Sequence, residues 1–315
     1  MKLLFAFFRL IRWPNLFFIA LTQSLFYYCI IVPTASVAGL TFHLTQPLFF
    51  LLLLSSVFIA AAGYIINDYF DLNIDKVNKP EKMVVEKIIK RRWAIVLHWG
   101  ITTTGLLISL YVSFKTSFIV IIVNVLCTLL LWFYSTTFKK KLLSGNIIIS
   151  LLTAWTVLVL YFAIGNTFHF FSPSSPGFSA AINHIFKYAV LYAGFAFIIS
   201  LIREVIKDIE DMEGDAKYNC KTMPIVWGVP TSKVFAGVWL IVLIGAMIIL
   251  QFYAFQLGWW ITATYCFLLI LMPLLWILRK LYIAQNSRQY HRLSSMIKLV
   301  MLSGILSILF FRWYI

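Results

Sequence analysis

All 11 carboxylate side chains of this 315-residue chain fall in two stretches. Residues 67–86 hold Asp68, Asp71, Asp75, Glu81 and Glu86; residues 204–215 hold Glu204, Asp208, Glu210, Asp211, Glu213 and Asp215. Asn67, Asp71 and Asp75 step by four, so a helix puts them on one face with Asp68 at its edge. Glu204, Asp208, Asp211 and Asp215 step by four, three and four and also share a face. Like charges so arranged repel unless a cation satisfies them. Hard oxygen ligands at this density suit Mg²⁺, which prefers to share its oxygens with a phosphate. The bland alternatives are a solvated helix end for the first stretch and surface ion pairing for the second, where Lys207 can meet Asp211 at i+4.

Cations follow the acids. Lys79 and Lys82 come directly after the first stretch, and Arg203 opens the second. Lys139, Lys140 and Lys141 follow Tyr134 and Ser135, with Asn146 at the start of the next apolar run. Lys79, Lys139, Lys140 and Arg203 can neutralise an anion such as a diphosphate bridging the two clusters, with Tyr134 and Ser135 as hydrogen-bond donors and Asn146 facing the same cavity. Arg12 and Asn15, around Trp13-Pro14 at the first span, are further candidates for substrate binding. A triple Lys is also an ordinary topology signal.

The elements that must carry these residues are membrane helices. The chain is 62% hydrophobic and 12% charged, against about 25% charged for a soluble domain. Apolar runs of about 20 residues recur, each long enough to cross a bilayer. Nine spans are expected, near 15–39, 47–67, 92–113, 116–137, 145–165, 184–206, 230–253, 257–279 and 293–313. Lipid leaves unpaired backbone groups no partner, and the long Leu/Ile/Phe runs lack the alternation of a barrel, so the spans are helices. The fold class is all-α and integral to the membrane, in one domain over 1–315. Lys and Arg gather before span 1 and between spans 2–3, 4–5, 6–7 and 8–9, which places the N-terminus in the cytoplasm and the C-terminus outside. Both acidic stretches then meet the cytoplasm, and the cell (inner) membrane is the expected location. The net charge of +15 reads as this topology signal; no module for nucleic acid is present. The four cysteines form no CxxC pair and predict neither a disulfide framework nor a zinc site. The N-terminus shows no small-residue cleavage site and reads as mature protein. The loop over 165–183, with Ser172-Pro173-Ser174-Ser175-Pro176-Gly177, reads as an outer connection without chemistry.

Asn67-Asp68-Tyr69-Phe70-Asp71-Leu72-Asn73-Ile74-Asp75 resembles the NDxxDxxxD signature of the UbiA-type membrane prenyltransferases. Asp208 to Asp215 is similar to their second motif, and Lys221-Thr222-Met223-Pro224 to its usual sequel. Tyr134-Ser135 with Lys139-Lys140 is similar to a YxxxKR-like element, and Arg12-Trp13-Pro14-Asn15 to an N-terminal R-x-x-N. The resemblance covers most of the chain in the right order. It implies nine helices around a central cavity opening near the cytoplasmic face, and Mg²⁺-dependent transfer of a prenyl group from its diphosphate to a lipophilic acceptor. It implies that Asn67, Asp71, Asp211 and Asp215 hold Mg²⁺, that Asp68, Asp75 and Asp208 act close by in catalysis, and that Lys79, Lys139 and Lys140 bind the diphosphate. Two departures stand out: Lys where many members carry Arg after the first motif, and Met223 before Pro224. Lys139-Lys140-Lys141 with Gly145-Asn146, and the run from Lys207 to Asp211, look most like the branch whose acceptor is geranylgeranylglyceryl phosphate. Aromatic prenylation for quinone synthesis is the alternative. A cation transporter would want acids near mid-membrane and inverted repeats, and a CDP-alcohol phosphotransferase one continuous Asp motif; neither pattern is present.

Overall fold

A computed structural model describes residues 2–78, 80–165 and 176–314. Lys79 and residues 166–175 of the outer-loop reading lie outside the described residues. Among those described, nine helices are long and apolar enough to cross a membrane: Trp13–Val37, Gln46–Phe70, Arg91–Lys115, Phe118–Thr136, Ser144–Ala163, Ser179–Lys217, Gly228–Gln256, Trp260–Ile283 and Ser287–Trp313. Each overlaps one expected span. Side chains such as Leu107, Ile122, Ile249 and Phe252 are exposed on them, as surfaces bathed in lipid must be. The only pairing of strand type among the described residues is one isolated bridge, Val85 to Ile89.

The largest departure from expectation is the sixth span, whose helix runs unbroken from Pro176–Lys217, 42 residues. At about 1.5 Å per residue it is roughly twice as long as the hydrocarbon core is thick. Hydropathy collapses at Arg203, but Glu, Lys and Asp at helical spacing keep the backbone helical past that point. The second acidic stretch therefore rides on an extension of a membrane helix.

The second span behaves differently. Gln46–Phe70 ends at Asp71 and the chain resumes as Leu72–Asn78. The break is one residue wide. Asp71 N donates to Asn67 O at 3.0 Å and Asp75 N to Asp71 O at 2.8 Å, so the fourfold stepping of the first motif survives it.

The chain divides into two compact units. The first comprises Met1–Phe138 and Trp155–Leu191. Its polar side chains inside the spans satisfy one another, as burial in an apolar medium requires. Gln23 Nε2 donates to Ser56 Oγ and to Thr156 O, both at 3.0 Å. Trp155 Nε1 donates to Asn124 Oδ1, and Asn124 Nδ2 to Ser109 Oγ, both at 2.9 Å. Ser55 Oγ reaches Gly105 O at 2.8 Å, a close helix approach that the missing Cβ permits: one added at Gly105 would stand 3.1 Å from Phe58 Cβ.

The second unit comprises Lys139–Ala154 and Tyr192–Tyr314. Its core joins Ile199, Ile202, Val205 and Ile206 to Leu240, Leu243, Leu274, Ile277, Leu293 and Ile297. Gly304 lets Phe195 close in; a Cβ there would lie 2.7 Å from its ring. Tyr192 and Ser307 share a 2.9 Å hydroxyl contact. At the other end of the same helix pair, Glu210 accepts from His291 Nδ1 at 2.8 Å and its carbonyl from Ser287 Oγ at 3.2 Å. These bonds fix the acidic extension of the sixth span against the last helix.

Candidate active site

The first motif sits over a small core of its own. Ala6, Leu10, Ile11 and Leu16 pack with Ile65, Leu72, Val84, Val85 and Ile89. The short helix Lys2–Leu10 stops because Arg12 adopts a left-handed conformation, φ 50° and ψ 53°, and Pro14 then suits the first turn of the next helix. Asn15 closes that turn, its N donating to Arg12 O at 2.8 Å. The unusual backbone aims Arg12 at the motif: Nη2 donates to Asp68 Oδ1 at 2.6 Å, and the guanidinium lies 5.2 Å from the Tyr64 ring centre. Burial opposes the Arg12 charge. Asp68, Tyr64 and Asp75 together outweigh it, and the guanidinium is held above its ordinary range.

Asn67 and Asp71 turn inward. Asn67 Oδ1 is buried with no hydrogen-bond partner, and Asp71 Oδ1 is buried too. A buried amide oxygen without a donor costs about 1–3 kcal/mol, which a cation would recover. Asp75 is half-buried one turn further on. Tyr134, in the same unit, is half-buried, while Ser135 is buried with Oγ donating to Leu131 O at 2.9 Å on its own helix.

In the second unit, Asn146 is 7% exposed and its Nδ2 donates to Asp208 Oδ2 at 2.8 Å. Glu204 is also buried. Its Oε1 meets Arg203 Nη1 at 2.6 Å and its Oε2 lies 3.7 Å from Lys207 Nζ. Asp211 and Asp215 are half-buried on the following turns. Asp215 O accepts from Cys220 N at 3.0 Å, and Lys221 N donates to Lys140 O at 2.7 Å. The triple Lys and the sequel of the second motif are thereby tied by backbone. Lys139 Nζ is buried, whereas Lys140 is exposed, a distinction that adjacent lysines in a sequence do not disclose. Glu213 with Lys217 is an exposed pair at 3.8 Å.

Among the described residues, no three His, Cys, Asp or Glu side chains form a ready-made metal cage. That agrees with the donor chemistry. Mg²⁺ keeps several waters and binds through one or two carboxylates plus substrate phosphates, and the orphaned Asn67 Oδ1 is a hard ligand of the right kind. Sequence reasoning placed Glu204 on the acidic face but did not foresee that it serves two cations; the i+3 spacing from Glu204 to Lys207 was the available signal.

Fold and site together define a polytopic membrane enzyme with two acidic helix ends and adjacent cations. The chain matches the UbiA prenyltransferase family over residues 11–302 and belongs to that family; it is a prenyltransferase. It is 26% identical over 254 residues to the digeranylgeranylglyceryl phosphate synthase of Methanosphaera stadtmanae, covering 80% of this chain and 83% of that one. To the synthase of the same name from Thermococcus sibiricus it is 30% identical over 209 residues, 65% of this chain and 67% of the relative. Among solved structures, a UbiA homologue from Aeropyrum pernix in its apo state superposes with a TM-score of 0.62 at 14% identity, over 91% of this chain and 96% of that one. A UbiA homologue from Archaeoglobus fulgidus, bound to GPP and Mg²⁺, superposes at 0.55 and 17% identity, over 96% and 99%. These superpositions establish the shared fold.

Proposed function

We propose that the chain, acting as one catalytic domain, transfers a geranylgeranyl group from its diphosphate to geranylgeranylglyceryl phosphate, forming an ether lipid. The observation that carries this acceptor is the match to digeranylgeranylglyceryl phosphate synthases, which reaches 80% of the chain. The abundance of cations near both motifs supports it, since both substrates then bring phosphate.

In this reading the two carboxylate sets serve one diphosphate. Asn67 and Asp71 from one motif and Asp211 and Asp215 from the other hold Mg²⁺. When bound, Mg²⁺ offsets the charge that develops on the departing diphosphate. Lys139, with its buried ammonium, and Lys79 and Lys140 bind the diphosphate oxygens. Arg12, Asn15, Tyr134, Ser135, Asn146 and Arg203 complete the substrate contacts. Asp68 holds Arg12 and so acts by orienting that cation beside the reacting groups; Asp208 acts there while itself held in place by Asn146, and Asp75 stands at the edge of the first motif's face. The allylic C1–O bond breaks and its electron pair leaves with the diphosphate. The acceptor hydroxyl oxygen bonds to C1, and its proton passes to the released diphosphate. Apolar walls exclude water, which would otherwise capture the cation.

The purified protein, given labelled geranylgeranyl diphosphate and Mg²⁺ with either geranylgeranylglyceryl phosphate or 4-hydroxybenzoate, should form labelled ether lipid with the first. A labelled aromatic product alone would replace this reading by quinone-type prenylation. The N-terminus and active site are assigned to the cytoplasmic side. Asn286→Cys should accordingly react with an impermeant maleimide only from the cytoplasm and Thr45→Cys only from outside; the opposite pattern would reverse the assignment, and reaction of both from one side would contradict the nine-span topology.

A further inference from the structure

Glu204 stands on the same helix face as Asp208, Asp211 and Asp215, yet its oxygens are engaged by cations. One takes Arg203 Nη1 at 2.6 Å and the other faces Lys207 Nζ at 3.7 Å. All three side chains are mostly withdrawn from solvent, at 17%, 12% and 26% exposure for Arg203, Glu204 and Lys207. Exposed ion pairs contribute little, but a carboxylate removed from water needs compensating partners. One carboxylate thus gathers two cations inside an acidic motif, and Lys207 also lies within electrostatic reach of Asp208.

Arg203 adds a direction. A guanidinium binds a planar anion along an edge, through two parallel N–H groups. Glu204 occupies Nη1, so the edge formed by Nε and Nη2 is the one left for a bidentate ligand. Nε lies on that edge, buried and without a hydrogen-bond partner. A donor stranded in this way is rare in native proteins, and an anion would satisfy it.

We propose that Glu204 is a positioning residue that fixes Arg203 and Lys207 as a cation pair, and that this pair binds a phosphate group of a substrate through the Nε edge of Arg203. The inference rests on the reading that phosphate-bearing substrates enter this site. It makes Glu204 distinct from its neighbours on the same face: it organises cations and does not ligate metal.

The test uses the full chain in nanodiscs, comparing wild type, Glu204→Gln, Glu204→Asp and Lys207→Gln. KM is measured separately for donor and acceptor, together with kcat and the Mg²⁺ concentration for half-maximal rate. Glu204→Gln should raise the KM of one phosphate-bearing substrate about tenfold, the scale of one charge-assisted contact. It should leave kcat within about threefold and the Mg²⁺ requirement unchanged. Glu204→Asp should recover most of the loss, and Lys207→Gln should raise the same KM by less. A donor effect identifies the diphosphate as the ligand, and an acceptor effect the glycerol phosphate. A shifted Mg²⁺ requirement, unaltered KM values, or no recovery in Glu204→Asp would overturn the proposal. If Glu204→Gln fails to fold, Lys207→Gln decides, because it keeps the Arg203–Glu204 pair: an unchanged KM in that variant would likewise overturn it. Titrating inorganic diphosphate and glycerol 1-phosphate into each variant separates this inference from the transfer reaction. If wild type binds one of them and Glu204→Gln binds it about tenfold more weakly, the cation pair stands even should no prenyl product form.

Discussion

The two acidic motifs solve one electrostatic problem in opposite ways. The first lies where a membrane helix breaks, at Asp71, and draws its principal counter-charge from far away in sequence: Arg12, 56 residues earlier, bonded to Asp68. The second lies on an unbroken 42-residue helix and carries its own cations, Arg203 and Lys207, within a turn of Glu204. The first also leaves an amide oxygen buried and unmatched at Asn67, whereas in the second an amide, Asn146, donates to Asp208. The difference teaches that equal spacing of acids does not mean equal roles. Asn67 and Asp71 present oxygens inward, Asp68 and Glu204 organise arginines, and Asp208 is itself held in place.

The comparison is broken most severely by replacing one carboxylate oxygen in each motif. Asp71→Asn and Asp211→Asn should each lower kcat/KM by about a hundred- to a thousandfold, the scale of losing preorganised charge stabilisation. Steady-state kinetics over a range of Mg²⁺ would check this; a variant near wild type would remove its motif from the site. Lys139→Gln comes next, with a loss of about ten- to hundredfold for one buried charge-assisted contact. Lys140→Gln, whose side chain is exposed, should lose less, about threefold, because water screens its contact with the diphosphate. Equal losses in the two would mean that burial does not separate them. Asp68→Asn should cost about tenfold, mainly in KM, because a neutral amide holds the Arg12 guanidinium less firmly. Asn146→Ala should have the smallest effect, about fivefold, the value of one neutral donor to Asp208. If Asn146→Ala costs more than Asp68→Asn, the ranking of the two supports is wrong.

Much of this could be read from the residues. Apolar runs near 20 residues specify membrane helices, because lipid offers the backbone no alternative partner. Confinement of every carboxylate to two stretches marked both motifs. What could not be read depends on tertiary geometry. No spacing rule tells Lys139 from Lys140, since the turn that buries one ammonium is set by a backbone bond from Lys221 to Lys140. Arg12 reaches Asp68 only through a left-handed residue, a conformation that L side chains seldom adopt and that local sequence does not announce. The sixth helix outran its apolar span because hydropathy reports the membrane while helix propensity continues beyond it. The local partner of Ser135 was equally hidden: its Oγ donates to Leu131 O on its own helix, as Ser within helices commonly does.

The central proposal is that two carboxylate sets, more than a hundred residues apart, serve a single diphosphate. Calorimetric titration of inorganic diphosphate in saturating Mg²⁺ tests it directly, on wild type, Asp71→Asn, Asp211→Asn and the double variant. One diphosphate should bind per wild-type chain, binding should require Mg²⁺ and vanish with EDTA, and either single substitution should weaken it as much as both together, as groups acting as a unit do. Two sites in wild type, each lost separately to one substitution, would contradict the account.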